Sequence, residues 1–297
     1  MPTRRAFIKQ TSLASTGLLF SGKSLFYSKP LIGLQLYTVR DQIAKDPEGT
    51  LAKVAQIGYN SAEVFGYGKG KFFGLTPAQF SALLKKYQLT SPSGHYSMGS
   101  YLITGDQDDL NEAISVAATM GHKFLTIPFL QDNMRTSLDD YKHLADKMNV
   151  AGAAAKKSGL KLAYHNHNFE FKDWGGGQTG FGIFMTQTDP ALVNFEMDIY
   201  WVTRAGLDPL QLIKDHPGRF KMWHVKDMSQ KADPSYTTGG QQYFAEVGTG
   251  VIDFKEIFRH RKESGMEYFF VEQDQSSRPV YDAITNSFGY IKANLAR

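Results

Sequence analysis

The chain has 297 residues, 42% of them hydrophobic and 21% charged, with a formal net charge of +4. That balance excludes a chain that is disordered over most of its length. There is no cysteine, which excludes disulfides, thiolate metal sites and cysteine nucleophiles, so any metal must be held by nitrogen and oxygen.

Residues 1–30 differ from the rest. Thr3-Arg4-Arg5-Ala6-Phe7-Ile8-Lys9 precedes a weakly apolar stretch from Thr11 to Phe20. The segment resembles a twin-arginine export signal, which implies delivery to the periplasm; a basic tail on a cytosolic enzyme is the other reading. The apolar stretch is too short to span a membrane, for which about 20 residues are needed. Arg4, Arg5, Lys9, Lys23 and Lys29 fall here with no acid, so the remainder is close to neutral and offers no footprint for nucleic acid.

From Leu31 onward, short apolar runs alternate with amphipathic stretches. Leu31 to Tyr37 reads as a strand, and Asp46-Pro47 opens a helix that runs to Ile57 and stops at Gly58, an Asp N-cap with Pro at the first helical position. Ser61 to Phe65 is the second strand, and Thr76-Pro77 caps a helix to about Tyr87. Leu89 to His95 is the third, followed by a helix from Asp106 to Met120. Lys123 to Ile127 is the fourth, and Ser137 caps a long helix to Ser158 that Gly159 ends. Leu160 to His165 is the fifth, with a short helix around Phe181 to Thr188. Leu192 to Asp198, Phe220 to Val225 and Tyr268 to Glu272 complete the set. Helices at Pro209 to Asp215, Asp253 to Ser264 and Pro279 to Leu295 follow them.

Strict alternation of strand and helix requires a parallel sheet, because each crossover returns the chain to the same end. Eight such units favour closure into a (β/α)8 TIM barrel occupying residues 31–297 as one domain. An open doubly wound sheet is the alternative, but the first turn, Thr38 to Lys45, lacks the glycine fingerprint used for dinucleotides. Gly66-Tyr67-Gly68-Lys69-Gly70 reads as a flexible loop rather than a phosphate cradle.

In such a barrel, the strand ends share one mouth. Asp198, His224 and Glu272 end strands six, seven and eight. Strand five supplies His165 and His167, whose spacing puts both on one side of an extended chain. Imidazole and carboxylate together suit Mn, Zn, Co or Fe, and with enough oxygen also Mg. Taken singly, each residue reads as a helix cap or structural hydrogen bonder; four at matching ends of consecutive strands point to a divalent cation.

The sequence resembles the xylose-isomerase-like barrel superfamily of sugar isomerases, epimerases and dehydratases. The segments that carry the likeness are Gly33-Leu34-Gln35-Leu36-Tyr37, Gly58-Tyr59 leading to Glu63, Met197-Asp198-Ile199-Tyr200, His224-Val225-Lys226-Asp227, Gly248-Thr249-Gly250-Val251-Ile252-Asp253, and Val271-Glu272. In the family's epimerases the metal ligands are Glu, Asp, His and Glu from strands five to eight. Asp198, His224 and Glu272 match three of these. His165 stands where the fourth glutamate would be, so the resemblance implies His165 as fourth ligand, with Glu170 reaching back from the loop as the alternative. The His-x-His form is similar to the inosose dehydratase and keto-sugar branch. Around the metal, Glu63, His167, Glu272 and Lys226 are candidates for proton transfer. His95, Glu170, Trp201 and Lys226 are candidates for substrate contact, and Trp174 and Trp223 could also face a sugar ring.

The expected activity is a metal-dependent isomerase or epimerase of a keto sugar, working by proton abstraction and a metal-stabilised enediolate. A lyase or dehydratase acting on 3-keto-sugars or inosose-like compounds is the close competitor. A phosphodiesterase is disfavoured by a total of 8 histidines, and a barrel that only binds carbohydrate would need no cation. No arginine cluster announces a phosphate site, so an unphosphorylated small carbohydrate is the expected partner.

Overall fold

Closing a parallel sheet removes its edges, and the computed structural model, which describes residues 31–296, shows that closure. Its strands are Gly33–Gln35, Ser61–Val64, Thr90–His95, Phe124–Ile127, Lys161–His165, Val193–Asp198, Phe220–Val225 and Tyr268–Val271. Each pairs in parallel with its neighbours, and the first also pairs with the eighth. The TIM barrel is therefore observed. The export signal read in residues 1–30 lies outside the described residues, among which no helix is long and apolar enough to cross a membrane.

The helix starts follow local chemistry. Asp46, Thr76 and Ser137 each accept from the backbone N–H three residues on, and the last two form full capping boxes with Gln79 and Asp140. Some elements depart from the sequence expectation. The first strand stops at Gln35, whose side-chain oxygen accepts from the Tyr37 N–H and turns the chain into a 3-10 helix over Leu36–Val39. The glycine-rich loop is a hairpin, Tyr67–Gly68 against Lys71–Phe72. Gly99–Thr104 and Ile199–Arg204 are additional helices, and the segment after Asp253 divides at His260 into Phe254–Arg259 and Arg261–Ser264.

Inside the barrel, Phe124, Ala163, Met222 and Phe270 from strands four, five, seven and eight form a fully buried apolar plug, with Tyr268 packed against it. Gly33 makes room for it, because a Cβ there would lie 2.4 Å from the Phe270 ring and 2.7 Å from the Phe269 carbonyl oxygen. Strand residues alternate faces. The inward positions one step beyond the plug are therefore polar: Thr126 follows Phe124, His165 follows Ala163, His224 follows Met222 and Glu272 follows Phe270. The plug seals one end of that polar layer from water.

Truncating the plug should be costly. Phe270→Ala is expected to lower unfolding stability by about 3–5 kcal/mol, read as a shift of the urea midpoint. A change under ~1 kcal/mol would show that the barrel interior is not close-packed there.

Candidate metal centre and active-site mouth

Register decides which side chains meet. Gln35 lies beside Glu63, His165 beside Glu196 and Asp198 beside His224. Glu196 and Asp198 are two apart on strand six and so share a face. Asp198 also caps the helix that follows: its Oδ1 accepts from the Trp201 N–H at 3.0 Å. Its Oδ2 is buried with no hydrogen-bond partner. The cap and ligand readings of this residue are thus compatible, one oxygen for each.

Around that free oxygen stand His224, Glu272 and Lys226. His224 Nδ1 is 3.0 Å from Glu272 Oε2. Lys226 donates to Glu272 Oε2 at 3.1 Å and to Asp274 Oδ1 at 2.7 Å, with Asp198 Oδ2 at 3.7 Å. Ligand atoms of Asp198, His224 and Glu272 all lie within 4.8 Å of one another. The orphaned Oδ2, the dry surroundings and the mixed oxygen and nitrogen donors fit a divalent cation. His165 Nε2 stands 3.8 Å from Asp198 Oδ2, at the margin of this set.

Deeper lies a second layer. Glu63 Oε2 is 2.7 Å from His224 Nε2 and 3.2 Å from His95 Nε2, and it accepts from Gln35 Nε2 at 2.7 Å. Glu196 Oε2 is 2.9 Å from His95 Nε2 and 3.2 Å from His165 Nδ1. Both carboxylates are fully buried. Burial pushes their pKa values up, but the histidines outweigh it: His95 and His224 hold the Glu63 carboxyl well below the usual range, and His224 and His165 do the same for Glu196. Burial likewise opposes charge on His95, yet Glu63 and Glu196 raise it to about 9.

Above these layers a cavity of about 430 Å3 opens to solvent. His95, His165, His167, Lys226, Glu272 and Asp274 supply its polar wall, and Tyr37, Phe65, Phe129 and Trp201 its aromatic wall. Burial, reinforced by Lys226, keeps the His167 imidazole neutral well below its ordinary pKa, and its Nδ1 is without a partner. Burial works against the Lys226 charge, but Asp274, Glu272 and Asp198 more than offset it and raise its pKa. Asp198 is held above the usual carboxylate range by burial, with Lys226 pulling the other way.

The sequence candidates therefore separate. Asp198, His224, Glu272, Lys226, His95, His165, His167 and Trp201 converge on the mouth or just beneath it. Glu63 lies below the histidines, not in the cavity wall. Glu170 turns away: its carboxylate accepts from the Tyr164 hydroxyl and, through both oxygens at 3.0 Å, from the His167 N–H. It braces the exit of strand five and is not among the residues lining the cavity. Trp223 packs outward and donates to Ser264, and Trp174 packs against the hydrophobic core. Sequence reading missed Gln35, Glu196 and Asp274. Parity could have found two of them, since each lies two positions from a residue already singled out, Asp198 or Glu272.

Two pins hold the rim. Asp227 accepts from the backbone N–H groups of Gly248 and Gly250 at 2.9 and 3.0 Å. A Cβ at Gly250 would come 2.2 Å from the Met228 carbonyl oxygen, so that loop needs glycine there. Asn168 donates to the Ser235 and Thr237 carbonyl oxygens at 2.8 and 2.7 Å, drawing Thr238 into the cavity wall.

Residues 51–292 match the family described as xylose isomerase-like TIM barrel. The chain belongs to this family. It is 27% identical over 196 residues to inosose dehydratase 2 of Bacillus cereus, an overlap of 61% of this chain and 62% of that relative's length. It is 25% identical to a sugar phosphate isomerase/epimerase of Parabacteroides distasonis, with a TM-score of 0.76 over 92% of this chain and 98% of that one. The fold is also that of the IOLI protein, whose crystal structure contains a zinc atom, at 14% identity and a TM-score of 0.69 over 89% and 97% of the two chains.

Glu170 offers a test of this arrangement. Burial raises its pKa from 4.5 to about 7. Between those values only the native state holds the proton, so the stability this group contributes is full below 4.5 and is lost as pH rises through 7. From pH 5 to pH 8 the wild type should therefore lose on the order of 1–3 kcal/mol more than Glu170→Gln, measured by urea unfolding. Equal pH slopes would show that Glu170 does not titrate in this way.

Proposed function

We propose that the chain is a divalent-metal-dependent isomerase or epimerase that removes a proton next to the carbonyl of a keto sugar. The observation that supports it most is the free Asp198 Oδ2, buried and facing His224 and Glu272 beneath an open, aromatic-walled cavity. Asp198, His224 and Glu272 would hold the cation. Its chemistry there is to polarise a carbonyl and an adjacent hydroxyl so that the neighbouring C–H becomes acidic.

The remaining steps fall to side chains. His167, neutral and with Nδ1 unpartnered, accepts the proton. Lys226, held cationic by Asp274, Glu272 and Asp198, donates a hydrogen bond to the substrate oxygen that gains negative charge. Trp201, packed 5.4 Å from the His167 ring, presents its apolar face to the sugar. Return of the proton to the opposite face inverts the centre, and return to the neighbouring carbon moves the carbonyl. Among the lining residues Lys226 is the sole lysine or arginine, which supports an unphosphorylated substrate.

One observation favours dehydration as a second reading. The proton carriers that reach the cavity are unlike one another, a neutral imidazole and a buried ammonium, with Glu63 screened behind His95 and His224. Such a pair suits an elimination, in which the base takes the C–H proton while an acid protonates the β-hydroxyl leaving as water.

Both readings begin with removal of the acidic proton next to the carbonyl, which deuterium from solvent can replace. In deuterated water with Mn2+, Co2+ or Zn2+, keto sugars and inososes should gain deuterium next to the carbonyl. Chelation should abolish the exchange, and His167→Asn should slow it by about 10²–10⁴-fold. Inversion or carbonyl migration identifies an isomerase and loss of water a dehydratase. Absence of exchange, inversion, carbonyl migration and water loss with every substrate would overturn the shared proton-abstraction step.

A further inference from the structure

Beside the mouth lies a second cavity that the proposed chemistry does not use. Its volume is about 510 Å3, and Arg40, Asp41, Gln273, Asp274, Ser276 and Arg278 stand in its wall. Asp274 lines the mouth as well, and Tyr37 of the mouth is followed directly by Thr38 of this pocket. The two spaces therefore share a wall built from the segments that leave strands one and eight. The Gln273 N–H donates to Thr38 Oγ1 at 3.1 Å and ties those segments together.

Three features define what the pocket can hold. Gln273 is 6% exposed, and its Oε1 is buried with no partner. An amide oxygen left in that state is costly, so a ligand that brings an O–H to it is favoured. Arg40 donates one N–H to the Tyr37 carbonyl oxygen at 3.1 Å and lies 4.6 Å over the Tyr37 ring, and among the described residues it makes no ion pair. A guanidinium has five N–H donors in a planar fork that matches a carboxylate, so Arg40 has donors to spare. The helix Val280–Asn294 begins at the same wall, where Pro279 gives it no side-chain cap, and its first turn therefore adds backbone donors and the positive end of its dipole.

The acids in the wall limit the choice of ligand. Asp274 is engaged by Lys226 at 2.7 Å, whereas Asp41 is exposed and would repel a bare anion. Arg278 adds positive charge, since its Nη1 is only loosely paired, 3.5 Å from Glu246 Oε1. Donors for a carboxylate thus stand beside acceptors for hydroxyl groups, Gln273 Oε1 and the two aspartates, and a sugar acid offers both kinds of group on one molecule.

We propose that this pocket is a subsite for the carboxylate-bearing part of the substrate, so that the chain acts on a keto sugar acid; the inference rests on the proposed reading of the mouth as the site of the keto centre. Arg40, Arg278 and the start of the helix Val280–Asn294 bind the carboxylate, Gln273 accepts from a neighbouring hydroxyl, and the substrate passes Asp274 to reach the mouth.

Binding tests this without turnover. Titration calorimetry of the full chain with D-glucuronate, D-glucose and D-glucose 6-phosphate should show glucuronate held at least about 10-fold more tightly than glucose, a preference that Arg40→Gln or Arg278→Gln removes. Wild-type crystals soaked with glucuronate should place its carboxylate beside Arg40, which keeps the test decisive if a variant fails to fold. Equal affinity for glucose and glucuronate, or a soaked carboxylate found on Lys226 in the mouth, overturns the subsite and leaves the proposed function standing. Preference for glucose 6-phosphate over glucuronate overturns the carboxylate assignment. Glucuronate bound beside Arg40 in a chain that converts no keto sugar upholds the subsite and overturns the proposed function.

Discussion

Buried charge without a partner is too costly to persist, and that constraint organises the whole interior of this barrel. Glu63, Glu196 and Asp198 are fully buried and Glu272 nearly so, and each faces an imidazole or an ammonium. Lys226 is 1% exposed and is ringed by Asp198, Glu272 and Asp274. Removing any one member leaves its partners uncompensated, so the set behaves as a unit rather than as a sum of pairs. The orphaned Asp198 Oδ2 is one place where this internal satisfaction is incomplete, beside Glu63 Oε1 and Glu196 Oε1, and its oxygen and nitrogen neighbours suit a cation.

The scaffold makes that arrangement affordable by keeping it rigid. The apolar plug of Phe124, Ala163, Met222 and Phe270 closes one end of the barrel, so the polar layer above it meets water only through the cavity. The low polarisability of such surroundings strengthens every charge interaction within it. Glu170 and Asp227 hold the backbone at the exits of strands five and seven by accepting N–H groups at the rim. Neither touches the cavity, yet each fixes the direction in which a neighbouring histidine or lysine projects.

Much of this was legible in the sequence. Alternating strand and helix patterns with Asp46, Thr76 and Ser137 as caps gave eight units, because capping and periodicity are local properties. The strand-end residues Asp198, His224 and Glu272 could be read because a parallel barrel brings its strand ends together whatever their separation in sequence. What stayed hidden depended on side-chain direction. Glu170 lies five residues beyond His165, and only the turn over Phe169–Phe171 sends it back toward Tyr164. Glu196 sits between Phe195 and Met197, where a glutamate inside an apolar run invites no comment until its parity with Asp198 is counted. Gln35 was hidden because its strand ends early, a turn that its own side chain makes.

Isomerisation and dehydration share their first step. Both begin with loss of a proton next to a carbonyl, and both need that carbonyl polarised in a water-poor site. They diverge only at the second proton: an isomerase returns it to carbon, and a dehydratase delivers one to a departing hydroxyl. On that reading the deciding residue is the cavity group that handles the second proton, not the residues that would hold the cation. Lys226 is tethered at 3.1 Å to Glu272 and 2.7 Å to Asp274, and its cation faces the rings of Trp201 and Phe244 at 5.2 and 4.8 Å. An ammonium held by so many partners gives up its proton reluctantly, which suits a fixed donor stabilising an oxyanion better than an acid that must discharge at every turnover. On the proposed reading, the protonation state of Lys226 during turnover is the property on which the two chemistries part.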